Sequence, residues 1–110
     1  GAAGLPDIGH FFPDTNPGFK NIDSQILLKR VVAQLHQRGF TIGNVDISVI
    51  AEKPRLINRL GEMKIVLANS LGISAEDIGI KATTNEGLDD LGKSLGIAAH
   101  AVVLIEKTKL

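Results

Sequence analysis

The segment KATTNEG, Lys81 to Gly87, places a cation, two adjacent hydroxyls and a carboxylate within one short stretch. Thr83 and Thr84 offer hydroxyls and backbone N–H groups that can hold phosphate oxygens, and Glu86 offers a carboxylate that can hold the Mg²⁺ neutralising them. The same residues also suit a polar turn whose Thr side chains cap local amides. A second segment, AEKPRLI (Ala51 to Ile57), contains Pro54, which removes a ladder donor and bends the chain. Backbone donors and acceptors exposed there suit a base edge, although a strand-to-helix turn is the plainer reading. The third segment is DIGHFFPDTNPGF, Asp7 to Phe19, which holds three of the four Phe in a chain without Trp or Tyr. Its carboxylates, Asp7 and Asp14, can accept hydrogen bonds from a polyol. Alternatively, Asp14 and Thr15 cap a turn and Phe12 plugs the core.

His10, His36 and His100 show no metal-ligand spacing. His36 falls on a helix rich in polar residues, and His100, inside an apolar strand, reads as a satisfied core histidine. No serine or cysteine nucleophile arrangement is visible.

These segments need a scaffold. Residues 1–21 read as loop. Asp23 or Ser24 can cap a helix carrying Ile26, Leu27, Val31 and Leu35 on one side, with Gly39 at its end. Phe40 and Ile42 begin an extended run. From Val45 to Ala51 the alternation turns Val45, Ile47 and Val49 one way and Asp46, Ser48 and Ile50 the other. A second helix carries Leu60, Met63, Leu67 and Leu71 at helical spacing and closes at Gly72. Ser74 to Asp77 form a turn, Ile78 to Ala82 a short strand, and TTNEGLDD a polar loop. Residues 97–105, IAAHAVVLI, are apolar on both faces, which suits a central strand. The run from Val45 to Ala82 is a parallel strand–helix–strand crossover of ordinary length. Its two C-terminal loops, AEKPRLI and KATTNEG, therefore share the sheet edge where ligands usually bind.

The chain has 110 residues, of which 44% are apolar, enough for one domain with a core of Ile, Leu, Val and Ala. Its 12 basic and 12 acidic residues give zero formal charge, against general binding to nucleic acid or a membrane surface. With no cysteine, disulfides and thiolate metal sites are excluded. No apolar run reaches the roughly 18 residues that span a bilayer. The opening GAAGLPDIGH lacks a basic n-region, so it reads as an interior piece of a longer chain rather than a signal peptide.

In this order, DIGHFFPDTNPGFK, GFTIGNVDISVIAEKPRL and IGIKATTNEGL resemble the 2-C-methyl-D-erythritol 2,4-cyclodiphosphate synthases, enzymes of the non-mevalonate route to isoprenoids. The resemblance covers nearly the whole chain. It implies an α/β (α+β) subunit with a mixed sheet, a parallel βαβ crossover and helices on one face, assembled as a homotrimer with active sites between subunits. Residues 1–110 would be a single domain, the C-terminal part of such a subunit. The implied substrate is 4-diphosphocytidyl-2-C-methyl-D-erythritol 2-phosphate. Its 2-phosphate attacks the β-phosphate, CMP leaves, and the 2,4-cyclic diphosphate forms. The reaction makes the family lyases, phosphorus–oxygen lyases that release CMP. Implied cofactors are divalent metals, Zn²⁺ with Mg²⁺ or Mn²⁺.

Carried over by position, Asp7, Ile8 and Gly9 match the family's DIG, which meets the methylerythritol part. Phe12, Pro13, Asp14, Thr15 and Asn16 match an FPDTD-like substrate-facing segment, with Asn16 where Asp is common. The cytosine-reading loop is matched by Ala51, Glu52, Lys53, Pro54, Arg55, Leu56 and Ile57, with Glu52 for a common Gln and Arg55 for a common Lys. Thr83 and Thr84 match the pair that orients the phosphates, and Thr84 is the implied transition-state stabiliser. Asn85 stands where a third Thr is common, and Glu86 matches a ligand of the Mg²⁺-type ion. On this reading Phe11 and Phe12 wall the substrate, and Pro13 keeps the wall rigid.

The family's zinc ligands, an Asp-x-His and a later His, precede the DIG segment. The expectation is therefore a chain that holds the nucleotide side and part of the polyol side without the zinc centre, and that does not turn over by itself. The alternative is a non-catalytic oligomeric nucleotide-binding module. DDLGKSLGIAAHA departs from a common GFxGRGEGIA pattern, with Asp90, Lys93 and Leu95 in place of Phe, Arg and Glu, which bears on an isoprenoid-diphosphate cavity on the trimer axis. A bacterial cytoplasm is the expected location, or a plastid-type organelle if the source is eukaryotic.

Overall fold

A computed structural model describes residues 1–53, 55–84 and 86–108. Two expected site residues, Pro54 and Asn85, lie outside the described residues. Local caps set the helix boundaries. The Asp23 carboxylate accepts from the Gln25 N–H at 2.7 Å and starts helix α2, Ser24–Gln37. Helix α3, Leu60–Leu71, ends on Gly72 at φ +71°, whose N–H donates to the Ala68 carbonyl at 2.9 Å. The opening segment is less loop-like than its composition suggests. Asp7 caps a one-turn helix α1, Ile8–Phe11, and Asn16 caps a 3₁₀ turn, Pro17–Phe19. The polar loop after Thr83 likewise contains a helical turn, α4, Asp89–Gly92.

Strands β1 (Phe40–Ile50), β2 (Ile78–Thr83) and β3 (Ala98–Lys107) form one sheet in the order β2-β1-β3. The β1–β2 pair is parallel, joined through α3, and the β1–β3 pair is antiparallel. The expected extended run and strand are one strand with a bulge: Ile42 pairs with Ile105 and Asn44 with Leu104, leaving Gly43 as the extra residue. The bulge changes parity. Ile42 and Val45, three positions apart, both pack on the same core.

That core lies on one face of the sheet, between it and α2 and α3. Val32, Val45, Leu71 and Ile78 are its buried members, with Leu28, Ile47, Leu67 and Ala68 packed around them. Ile78 is 1% exposed, and burial on that scale contributes about 1.5–3 kcal/mol. The buried Ser70 hydroxyl donates to Gln25 Oε1 at 2.6 Å, tying α3 to α2. The apolar side of α2 is divided. Val32 meets the core, Leu27, Val31 and Leu35 line a groove against the opening segment, Leu28 does both, and Ile26 is exposed.

Two expectations about residues 97–105 are corrected. The strand is an edge strand, because β1 takes the central place. His100 is exposed rather than core, because it pairs with Ser48 on the face that the helices leave uncovered. Val102, 73% exposed, and Leu104, 52% exposed, share that face.

Candidate functional site

Parallel pairing brings two chain segments out at one edge. Ile50 is in register with Thr83, and one step further the Ala51 N–H donates to the Thr83 carbonyl at 3.0 Å. Ala51 is buried, so this last ladder bond is sheltered. Beyond it the loops that follow β1 and β2 run side by side.

The loop after β2 folds back tightly. Thr84 Oγ1 accepts from the Glu86 N–H at 3.3 Å, and the Thr83 hydroxyl donates to the Thr84 carbonyl at 3.4 Å. The local-cap reading therefore holds for Thr84, not for Thr83, whose hydroxyl meets a carbonyl, and it does not exhaust Thr84. Accepting a hydrogen bond does not use the hydroxyl's own hydrogen, which can still be donated. Glu86 at φ +53° and Gly87 at φ +76° are consecutive left-handed residues. Such a backbone suits Gly and costs a Glu, so something must hold it. Gly92 is one support: a Cβ there would lie 2.5 Å from the Gly87 carbonyl carbon, so only glycine permits that approach. Glu52 is the other: its Oε1 accepts from the Gly87 N–H at 2.9 Å. The Thr83, Thr84 and Glu86 side chains are exposed at this edge.

In the loop after β1, Lys53, Arg55 and Ile57 are exposed, and Leu56 is half-buried. The Leu56 carbonyl accepts from the Arg59 N–H at 2.8 Å, closing the 3₁₀ turn Ile57–Arg59 that leads into α3. Lys81 does not point its charge along the loop. Its Nζ lies 2.5 Å from Asp46 Oδ1 on the helix-free face of the sheet. Gly79 makes room for that pair, since a Cβ there would sit 2.9 Å from the same oxygen.

The opening segment is built differently. Asp7 Oδ1 accepts from the His10 N–H at 3.1 Å, and Asn16 Oδ1 from the Gly18 N–H at 2.9 Å. Phe12 packs edge-on against Phe19 at 5.4 Å, and the Arg30 guanidinium lies 5.8 Å from the centre of the Phe19 ring. Ile8, Gly9, Pro13, Asp14 and Thr15 are exposed. Phe11 faces elsewhere, into an apolar groove of about 540 Å³ shared with Leu5, Ile8, Leu27, Val31 and Val103. The structure thus assembles Ala51–Lys53, Arg55–Ile57, Thr83, Thr84, Glu86 and Gly87 at one edge. It places 7–16 against α2 and β3, and no hydrogen bond or ion pair among the described residues joins the two groups.

Among the described residues there is no group of three or more His, Cys, Asp or Glu that could hold a metal ion. The roles of Glu52 and Gly92 escape sequence reasoning. Glu52 meets a partner 35 positions away, and no local pattern announces it.

Over residues 1–106 the chain matches the YgbB family. It is 50% identical over 106 residues to a 2-C-methyl-D-erythritol 2,4-cyclodiphosphate synthase of Thioalkalivibrio sulfidiphilus, covering 96% of this chain and 66% of the relative. It is 49% identical over 109 residues to the synthase of that name from Phocaeicola vulgatus, covering 99% and 68%. The chain spans about two thirds of the length of these curated relatives. Its fold matches the bifunctional IspDF of Campylobacter jejuni with a TM-score of 0.92 at 38% identity, covering 97% of this chain and 29% of that one. It matches IspF of Plasmodium falciparum in complex with CDP with a TM-score of 0.85 at 32% identity, covering 99% and 65%. With nearly its whole length matched in sequence and in fold, the chain belongs to the YgbB family.

Proposed function

We propose that this chain is the nucleotide-binding and phosphate-orienting part of a cyclodiphosphate synthase. The reaction converts 4-diphosphocytidyl-2-C-methyl-D-erythritol 2-phosphate to the 2,4-cyclic diphosphate. An oxygen of the 2-phosphate attacks the β-phosphorus, a P–O bond forms, and the bond to the oxygen of the departing CMP breaks, with the electron pair going to CMP. The observation that carries this reading is the shared edge. The Ala51–Thr83 bond sets the loop after β1 beside the Thr83–Gly87 turn, and the structural relative from Plasmodium falciparum is a CDP complex.

Such a transfer needs positioning and charge neutralisation more than covalent chemistry. The Thr84 hydroxyl is the donor we assign to the phosphate oxygen on which charge develops, and Thr83 steadies the strand end beside it. The backbone of residues 51–57 reads cytosine. Glu86 fits a Mg²⁺-type ion, which takes one or two carboxylates plus substrate phosphates. When bound, that ion supplies positive charge to the diphosphate oxygens. The described residues do not fit a zinc centre, having no cluster of ligating side chains.

Asp7, Ile8, Gly9 and residues 12–16 serve the polyol side. Their separation from the nucleotide edge in one chain supports a site completed between subunits, in a homotrimer. The uncovered sheet face carrying Val102 and Leu104 supports the same assembly, since exposed apolar surface of that kind favours burial between copies. No helix among the described residues is long and apolar enough to cross a membrane. A bacterial cytoplasm is the location we propose, from the bacterial sources of the curated relatives.

Calorimetry with CMP, UMP and AMP, paired with a CMP-release assay of the full-length protein in Zn²⁺ and Mg²⁺, tests the reading. Preference for CMP together with release supports it. Equal affinity for the three nucleotides overturns the cytosine pocket. CMP binding without release favours a non-catalytic nucleotide-binding module.

A further inference from the structure

Among the described residues, the Glu52 side chain joins the two loops at the shared edge. Ladder bonding ends with Ala51 and Thr83, so it fixes the strand ends but not Thr84, Glu86 or Gly87. The internal tie of the turn, from the Glu86 N–H to Thr84 Oγ1, is long at 3.3 Å. The bond from the Gly87 N–H to Glu52 Oε1 is shorter at 2.9 Å and charge-assisted. It grips the turn at the second of its two left-handed residues, on a backbone that Gly92 closely approaches. If that grip is lost, the strained backbone at Glu86 can relax, carrying its carboxylate and the Thr84 hydroxyl with it.

We propose that Glu52 is a positioning residue that couples the base-reading loop to the phosphate-orienting turn, holding Thr84 and Glu86 in place through the Gly87 N–H. The proposal rests on the functional reading above, because it takes that turn to face phosphate. It assigns the Glu52 side chain to the turn rather than to the ligand. A nucleoside monophosphate, which needs only the base-reading loop and the α-phosphate contacts, is then nearly indifferent to Glu52. A nucleoside diphosphate, whose β-phosphate reaches the turn, is not. Gln retains an oxygen acceptor at the same position and Ala does not.

The test compares the unaltered protein with Glu52→Ala and Glu52→Gln by amide hydrogen exchange at Gly87 and by calorimetry with CMP and CDP. In Glu52→Ala, Gly87 exchange should rise about tenfold, as expected for one lost charge-assisted hydrogen bond. The CDP dissociation constant should rise several-fold, to about tenfold at most, with that for CMP changed less than about twofold. Glu52→Gln should restore most of both. Unchanged Gly87 exchange in Glu52→Ala overturns the proposal. Equal weakening of CMP and CDP overturns it too, by placing Glu52 on the base. A Gln variant as impaired as the Ala variant overturns the acceptor role. If the unaltered protein binds neither nucleotide, the functional reading falls and takes the ligand half of the proposal with it. Gly87 exchange then still decides whether Glu52 holds the turn.

Discussion

Asp7 and Asn16 close their turns on residues three and two positions along the chain, whereas Glu52 reaches a residue 35 positions away. The opening segment is therefore a set of local caps and a ring stack laid against α2. The strand-end loops hang from the sheet itself, through the Ala51–Thr83 bond and the Glu52–Gly87 bond. The difference determines what each region can do. A surface of local turns can be reshaped one turn at a time and needs another surface opposite it to enclose a ligand. The strand-end loops start from a fixed parallel ladder and are tied to each other by Glu52, which suits groups that must follow developing charge without rearranging.

The strongest test of the comparison is Thr84→Val, which keeps the branched shape and deletes the donor. If the turn is preorganised for the transition state, turnover of the full-length protein, with the N-terminal metal ligands present and Zn²⁺ and Mg²⁺ supplied, should fall in kcat by about 10²–10³ with CMP affinity nearly unchanged. Thr83→Val should hurt less, because that hydroxyl donates to the Thr84 carbonyl. A rise in KM alone would make Thr84 a ground-state binding residue instead. The next largest effect is expected from Gly92→Ala. The added Cβ meets backbone rather than a flexible side chain, 2.5 Å from the Gly87 carbonyl carbon, so the turn must shift. A cost of about 1–3 kcal/mol, the usual range for forced overpacking, should appear in the denaturation midpoint. CDP binding should weaken with it, while the opening segment stays as it was. A smaller effect, confined to metal dependence, is expected for Glu86→Gln, which keeps the shape and removes the charge. In the full-length protein it should raise the Mg²⁺ concentration needed for half-maximal turnover, and an unchanged metal titration would remove Glu86 from that role.

How much of this was legible beforehand follows the same division. Periodicity and capping residues predict α2, α3 and the parallel crossover, because Asp23 and Gly72 act within a turn of their positions. They also put the loops that leave the two parallel strands at one edge, and the register bears this out for the strand ends, Ile50 and Thr83. The central place expected for residues 97–105 fails for a reason no single strand reveals. An apolar run on both faces reports what could be buried, while strand order depends on pairing partners far along the chain. His100 fails with it, since its burial depended on that placement. Gly43 shows a subtler limit: alternation predicts the inward residues after the bulge, but nothing local signals the parity change that also brings Ile42 inward. Glu52 and Gly92 belong to the same class, residues whose role is set by a partner that only the fold brings near.

The smallest expected effect belongs to Asp7, where the local cap and the proposed substrate contact can be separated. Its carboxylate accepts from the His10 N–H at the start of a four-residue helix, so Asp7→Ala removes the cap. A lost N-cap typically costs about 0.5–2 kcal/mol. A single turn that buries none of its residues can lose that much locally without unfolding the domain. Hydrogen exchange at His10 should therefore quicken while the denaturation midpoint and CMP affinity stay unchanged. Asp7→Asn retains a good capping oxygen and removes the charge. If Asp7 serves only as a cap, Asn should leave intact both exchange and the turnover of the full-length protein. If its carboxylate also meets the polyol hydroxyls, Asn should leave His10 exchange intact and raise KM several-fold, because a charged acceptor is replaced by a neutral one. A shift in the global midpoint with either variant would mean that the opening segment is coupled to the sheet after all, and the contrast between the two regions would not survive it.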